Sequence, residues 1–213
     1  MSTPQRFWQF MQFLLNYLKS IEKLYRRMKV IGVIGKNGSG KDEVLKYLRD
    51  RYGVPFLSTG DIVRGIAAEE GKEPTRPNLQ AISDRYFRER GEGCFVRMVV
   101  EKIRDNGWKA AGISGVRSPR DVDILRSELG RDFILIDVYV SDARVRFERM
   151  VKRGEGRDAK AYEDFVKQDK AEEDIFGIAK AEEEADHKLS NDGSLDDLHR
   201  AVDELVKKKM LVD

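Results

Sequence analysis

"KVIGVIGKNGSGKDEVLKYL", Lys29 to Leu48, decides how the rest of this chain is read. It opens as an apolar, β-branched run, passes through Gly35, Gly38 and Gly40, and closes in a helical pattern. The spacing Gly35-x-x-x-x-Gly40-Lys41 is that of a phosphate-binding loop. Glycines suit the task because successive backbone N–H groups must turn inward around phosphate oxygens, in conformations a β-carbon would obstruct. The helix that follows adds the positive end of its dipole, and Lys41 adds a point charge that can follow a transferring phosphoryl group. The expected cradle is Gly35, Lys36, Asn37, Gly38, Ser39, Gly40 and Lys41. Asp42 departs from the pattern, since a Ser or Thr there would give its hydroxyl to magnesium. Two readings of Asp42 stand at this point: a carboxylate that takes the metal, or an acidic residue in the first helical turn, where the dipole favours it.

From Lys29 onward, short β-branched runs alternate with longer helical segments, without internal repeat or low-complexity linker. Strands are expected over 29–34, 54–59, 108–114, 133–140 and 187–191. Helices are expected over 40–52, 60–70, 78–90, 95–106, 118–129, 142–153, 159–170, 172–185 and 194–209. Such alternation implies a five-stranded parallel sheet with right-handed crossovers, in a three-layer α/β/α architecture. Ligands of that class bind beyond the carboxyl ends of the strands. The loops at 35–42, 58–64 and 114–120 each follow an expected strand, so they converge on one edge.

The 213 residues suffice for one well-buried domain, read as 28–213, plus a small appendage, 1–27. With 40% hydrophobic and 37% charged residues the chain reads as soluble and globular rather than disordered. The 40 Lys and Arg nearly cancel the 38 Asp and Glu, and the net +2 argues against a general nucleic-acid or acidic-membrane partner. A single cysteine, Cys94, excludes an internal disulfide and any multi-cysteine metal site. It reads as a small core side chain and permits a reducing compartment; the expected location is the cytoplasm. His187 and His199 form no metal-ligand spacing with it.

In the appendage, the stretch Phe7 to Leu18 is interrupted by Gln9, Gln12 and Asn16, is too short to span a bilayer and lacks a small-residue cleavage site. Phe7, Met11, Leu14, Leu18, Ile21 and Tyr25 follow helical spacing instead. An amphipathic helix is expected, packed on its own domain or on a second copy in a homodimer, with interfacial membrane attachment as the alternative.

Two further segments carry a family likeness. "STGDIVRGIA", Ser58 to Ala67, resembles the acceptor-binding segment of adenylate kinases and related nucleoside monophosphate kinases. The resemblance implies that Thr59 contacts the acceptor nucleotide, Asp61 lies near the magnesium shell and Arg64 grips the acceptor phosphate. Without it, Asp61 reads as a helix N-cap and Arg64 as a solvated charge. "ISGVRSPRDVDILR", Ile113 to Arg126, resembles the segment in which an Asp-Gly pair precedes a second phosphate-holding arginine, which implies that role for Arg117. Ser114 then stands where the family has a magnesium-associated carboxylate, and the metal ligands implied are Asp42 and Asp61. The guanidinium fork, always charged and able to donate two parallel hydrogen bonds, suits a phosphate.

"RFERMVKRGEGRD", Arg146 to Asp158, resembles the family's lid, placed at about 153–170, and implies that Arg149, Arg153 and Arg157 close over the adenine and phosphates. Its alternative is a solvated basic helix. "ADHKLSNDGSLDDLHRAVDEL", Ala185 to Leu205, is most similar to dephospho-CoA kinases, which places Gly193 and Ser194 at the adenine pocket.

Together the resemblances imply a P-loop kinase fold and a phosphotransferase using ATP and Mg2+, with Lys41, Asp61 and Arg117 as the catalytic residues. Cationic clamps suit an acceptor that is already an anion, so a nucleoside monophosphate leads. Dephospho-CoA is the alternative, with Asp61 as the base for its hydroxyl. The competing class is an ATP-binding switch or weak ATPase that recruits a partner through its N-terminal helix.

Overall fold

A computed structural model of the chain describes residues 28–154 and 158–209. The expected N-terminal helix and Arg157 lie outside the described residues. Strand β1 (Lys29–Ile34) is buried along almost its whole length. Val30 and Ile34 enter one core cluster, while Ile31 and Val33 enter another. Alternate side chains of a strand point to opposite faces, so β1 is covered on both and must lie inside the sheet.

The remaining elements follow in order: α1 (Lys41–Tyr52), β2 (Phe56–Ser58), α2 (Thr59–Glu69), α3 (Arg76–Arg90), α4 (Cys94–Asp105), β3 (Ala110–Ser114) and α5 (Pro119–Leu129). Then come β4 (Phe133–Tyr139), α6 (Ala143–Arg153), α7 (Tyr162–Phe176), α8 (Ile178–Glu183), β5 (His187–Ser190) and α9 (Leu195–Lys209). Among the described residues the strands form one five-stranded sheet in the order β2-β3-β1-β4-β5, and every neighbouring pair is parallel. The three-layer α/β/α expectation is met. On one face Ile34, Ile113 and Leu135 pack against Ile66 of α2, Val99 and Ile103 of α4 and Leu125 of α5. On the other, Ile136 and Val138 meet Val44, Leu45 and Leu48 of α1 and Leu198, Val202 and Val206 of α9. The i, i+4, i+8 spacing of the α9 residues makes that stripe, and each such side chain contributes about 1.5–3 kcal/mol by leaving water. Cys94 is a buried core residue, as expected, and burial raises its thiol pKa.

Local chemistry sets the element ends. Helix α1 stops at Gly53, left-handed at φ 67° and ψ 23°, with its N–H on the Arg49 carbonyl at 2.9 Å and the Val54 N–H on that of Leu48 at 3.2 Å. Strand β2 is shorter than expected because Pro55 has no N–H for the ladder, although its carbonyl still accepts from Gly112 N at 2.7 Å. The expected break between 170 and 172 is absent. Ala171, Glu172 and Glu173 are good helix formers, and α7 continues until Gly177 at φ 63° and ψ 44°. No helix among the described residues is long and apolar enough to cross a membrane. With all strands parallel, their carboxyl ends and the loops that follow gather along one edge of the sheet.

Candidate functional site

The loop from Gly35 to Gly40 rises from the end of β1 and is held by α6 and by the residue that follows β5. Gly38 (φ 78°) lies so close to α6 that a β-carbon would sit 2.6 Å from the Arg146 carbonyl oxygen. Gly40 (φ 95°) caps α1, and its β-carbon would collide with the side-chain nitrogen of Asn191. Neither position tolerates another residue, both for its backbone angle and for its neighbour. Asn191, buried just past β5, donates from Nδ2 to the Ser39 carbonyl at 2.8 Å. Arg146 is 5% exposed and donates to the Asn37 carbonyl at 3.0 Å while pairing through both terminal nitrogens with Asp169 at 2.9 and 2.7 Å. Breaking a buried pair of this kind costs about 3–5 kcal/mol.

Lys41 turns back into its own loop, with Nζ 3.4 Å from the Lys36 carbonyl oxygen. Burial lowers its pKa; Asp42 and Glu172 oppose that shift, and Arg117 and Arg153 add to it. These four groups therefore lie within electrostatic reach of one ammonium. Asp42, in the first turn of α1, accepts a 3.0 Å hydrogen bond from Ser114 Oγ at the end of β3.

On the side of β2 and β3, Thr59 Oγ1 donates to the Gly115 carbonyl at 3.2 Å, which ties two strand ends together. The N-cap of α2 is Ser58, whose hydroxyl accepts from Gly60 N at 3.0 Å, so Asp61 is not the cap but a first-turn residue. Asp61 and Arg64 are exposed and form an ion pair with each other. Arg117 is exposed; its backbone N–H reaches the Asp121 carboxylate at 3.1 Å, and its guanidinium lies 5.5 Å from the centre of the Phe176 ring.

On the side of β4 and β5, Arg149 donates from Nη2 to the Asn191 carbonyl at 2.8 Å, and its Nη1 is buried without a hydrogen-bond partner among the described residues. Arg153 pairs with Asp158 at 2.8 Å. Gly193 precedes the α9 cap, in which Ser194 Oγ accepts from Asp197 N at 3.2 Å, and a β-carbon on Gly193 would lie 2.7 Å from Asp197 Oδ2. A cavity of about 430 Å³ lies against the phosphate loop beside the end of β4, between Lys36, Ser39, Ser141, Arg146 and Glu182. Burial, with nearby Asp137 adding, pushes the Glu182 pKa up to about 7. Ser39 is 1% exposed, and its hydroxyl has no hydrogen-bond partner among the described residues.

Thus Lys41, Asp42 and Arg117 come together, with Ser114 on Asp42, whereas Asp61 and Arg64 engage each other on the surface of α2. Sequence reasoning missed Arg146, Asp169, Glu172, Glu182 and Asn191. Only Asn191 carried a signal, as the first residue of the Asn-x-Gly-Ser segment.

Residues 34–166 match the AAA domain family. The chain is 36% identical over 181 residues to a UPF0200 protein of Thermococcus onnurineus, covering 84% of this chain and 97% of that one. It is 34% identical over 182 residues to a UPF0200 protein of Pyrococcus horikoshii, with 84% and 96% covered. Among solved structures, a gluconokinase from Sinorhizobium meliloti superposes at TM-score 0.54 with 17% identity, over 86% of this chain and 95% of that one. A shikimate kinase from Acinetobacter baumannii, solved with shikimate, superposes at 0.53 with 17% identity, over 89% and 98%. These two likenesses concern the fold. The glycine loop, the parallel sheet and the relatives agree: the chain belongs to the UPF0200 proteins and the AAA domain family, and its fold is that of the P-loop kinases.

Proposed function

We propose that the chain is an ATP-dependent phosphotransferase that moves the γ-phosphoryl group to a small nucleotide acceptor, a nucleoside monophosphate. The observation that carries this reading is the convergence on Lys41: a half-buried ammonium turned into a glycine loop, with Asp42, Arg117 and Arg153 in electrostatic reach. Phosphoryl transfer asks a protein mainly for alignment and charge neutralisation, and these groups provide both. Lys41 and the loop N–H groups hold the ATP phosphates, and Gly35 to Gly40 with Arg149, Arg153, Arg157 and Gly193 form the donor side. Thr59, Arg64 and Arg117 form the acceptor side. For Arg64 this requires it to exchange Asp61 for the acceptor phosphate.

Magnesium fits this donor set. Asp42 and Ser114 offer one carboxylate and one hydroxyl, and magnesium normally completes its shell with water and phosphate oxygens. Among the described residues no group of three or more His, Cys, Asp or Glu side chains would hold a metal without them. The ion would neutralise phosphate charge, and Asp61 is the second carboxylate proposed for its shell.

A second reading, a kinase for the dephospho-CoA hydroxyl, is favoured by Asp61. A carboxylate at the start of α2, exposed beside the proposed acceptor side, is the residue type that can accept a hydroxyl proton. The Asn-x-Gly-Ser segment against the phosphate loop supports the same reading. The catalytic unit is residues 28–213, with residues 1–27 as an amphipathic helix that packs on it or on a second copy, in a cytoplasmic protein. An assay with ATP, magnesium, the nucleoside monophosphates and dephospho-CoA tests both readings. Transfer to a monophosphate supports the first and transfer to dephospho-CoA the second. Hydrolysis without transfer to any of them would favour an ATP-driven switch recruiting a partner through residues 1–27.

A further inference from the structure

Asp169, Glu172 and Phe176 stand at i, i+3 and i+7 of α7 and so share one helical face. Each touches a different part of the candidate site. Asp169 holds Arg146 through both terminal nitrogens. Glu172 Oε1 accepts from Asn37 Nδ2, in the middle of the phosphate loop, at 2.8 Å. Phe176 covers the Arg117 guanidinium at 5.5 Å. One rigid rod therefore reaches from the donor loop to the arginine proposed to clamp the acceptor.

The space left between Gly35, Asn37, Lys41, Arg117 and Glu172 is about 20 Å³. That is room for about one water molecule. A phosphoryl group, with its oxygens spread around phosphorus, is larger than that. The Glu172 carboxylate lines that space, accepting from the side-chain amide of Asn37 and lying within electrostatic reach of Lys41.

We infer that α7 is a built-in latch that shuts the phosphate site, its Glu172 carboxylate standing where the terminal phosphoryl group of ATP would lie, so that nucleotide must displace it to bind. The inference rests on the ATP reading above. A ligand that binds only the open form shows an apparent affinity reduced by the fraction of open molecules. Removing the charge of Glu172 takes away an anion that competes for Lys41 while leaving the Asp169–Arg146 pair in place. Glu172→Gln is therefore expected to bind ATP about 5- to 10-fold more tightly than the wild type by calorimetry, a gain that follows directly from a larger open fraction.

A second measurement uses the unaltered protein. Amide hydrogen exchange of residues 169–176 should quicken when saturating ATP is added. Wild-type affinity or weaker binding in Glu172→Gln, or stronger protection of α7 with ATP, would overturn the latch. The two readings fail differently. A wild type and a variant that both ignore ATP sink the ATP reading, whereas a wild type that binds ATP while the variant gains nothing sinks the latch alone.

Discussion

Ser114 Oγ donates a 3.0 Å hydrogen bond to Asp42 Oδ1, joining the end of β3 to the first turn of α1. A P-loop site ordinarily draws a hydroxyl from the residue after the lysine and a carboxylate from a neighbouring strand. Here the two residue types stand exchanged across the same contact. Asp42→Thr should therefore weaken the dependence of ATP affinity on magnesium, by about tenfold for the loss of one charge-assisted contact. The double variant Asp42→Thr with Ser114→Asp should restore it. Calorimetric titration of ATP with and without magnesium reads both. Unaltered magnesium dependence in Asp42→Thr would reduce the carboxylate to a helix-start residue.

Arg117 is exposed and lies within electrostatic reach of Lys41. Arg117→Ala should raise the acceptor KM by about 10- to 100-fold, the loss expected for one charge-assisted contact to a phosphate, while ATP affinity stays within about threefold. Equal losses for both substrates would count against the clamp.

Asn191, just past the carboxyl end of β5, supports the phosphate loop from the neighbouring strand end. Its Nδ2 serves the Ser39 carbonyl and its own carbonyl serves Arg149. Asn191→Ala leaves the Ser39 carbonyl without that partner in a buried place, at a cost of about 1–3 kcal/mol in denaturant-measured stability. ATP affinity should fall as the loop loosens, and a variant with unchanged stability would show that the contact is dispensable.

Glu182 gives the fold a pH dependence of defined sign. Its pKa is raised from 4.5 to about 7 by burial first and by Asp137 next, with Lys36 and Lys188 opposing and Glu173 adding. An acid that holds its proton more tightly when folded stabilises the fold at low pH, and that contribution is lost as pH rises between 4.5 and about 7. Glu182→Gln should flatten the decline, recovering at most about 3 kcal/mol at its upper end. The check is Tm against pH for both proteins; parallel curves would remove Glu182 as the source.

Much of this was legible in the sequence, for reasons that differ by residue. Strand β1, buried on both faces, shows itself as an unbroken apolar run, and the loop after it shows its glycines because no other residue tolerates those angles. Arg117 and Asp42 are readable because each sits at a fixed offset from a strand end. Arg146 is not: in α6 it is one of several arginines, and only packing decides that it is buried against Asp169, 23 residues away. Glu172 is hidden likewise among the acidic residues of α7, a solvated face by composition. The expected break near 171 has no counterpart in α7, because residues 171–176 contain neither Gly nor Pro and the helix runs on to Gly177. The Asp61–Arg64 pair, by contrast, follows from i, i+3 spacing alone.

The central claim is that the loop around Lys41 grips the phosphates of ATP, and titration of ATP with magnesium into the wild type and Lys41→Ala tests it most directly. Saturable one-to-one binding in the wild type, weakened at least about 100-fold in the variant by loss of a buried charge contact, is the predicted result. No binding by the wild type, or equal affinity in the two proteins, would contradict it.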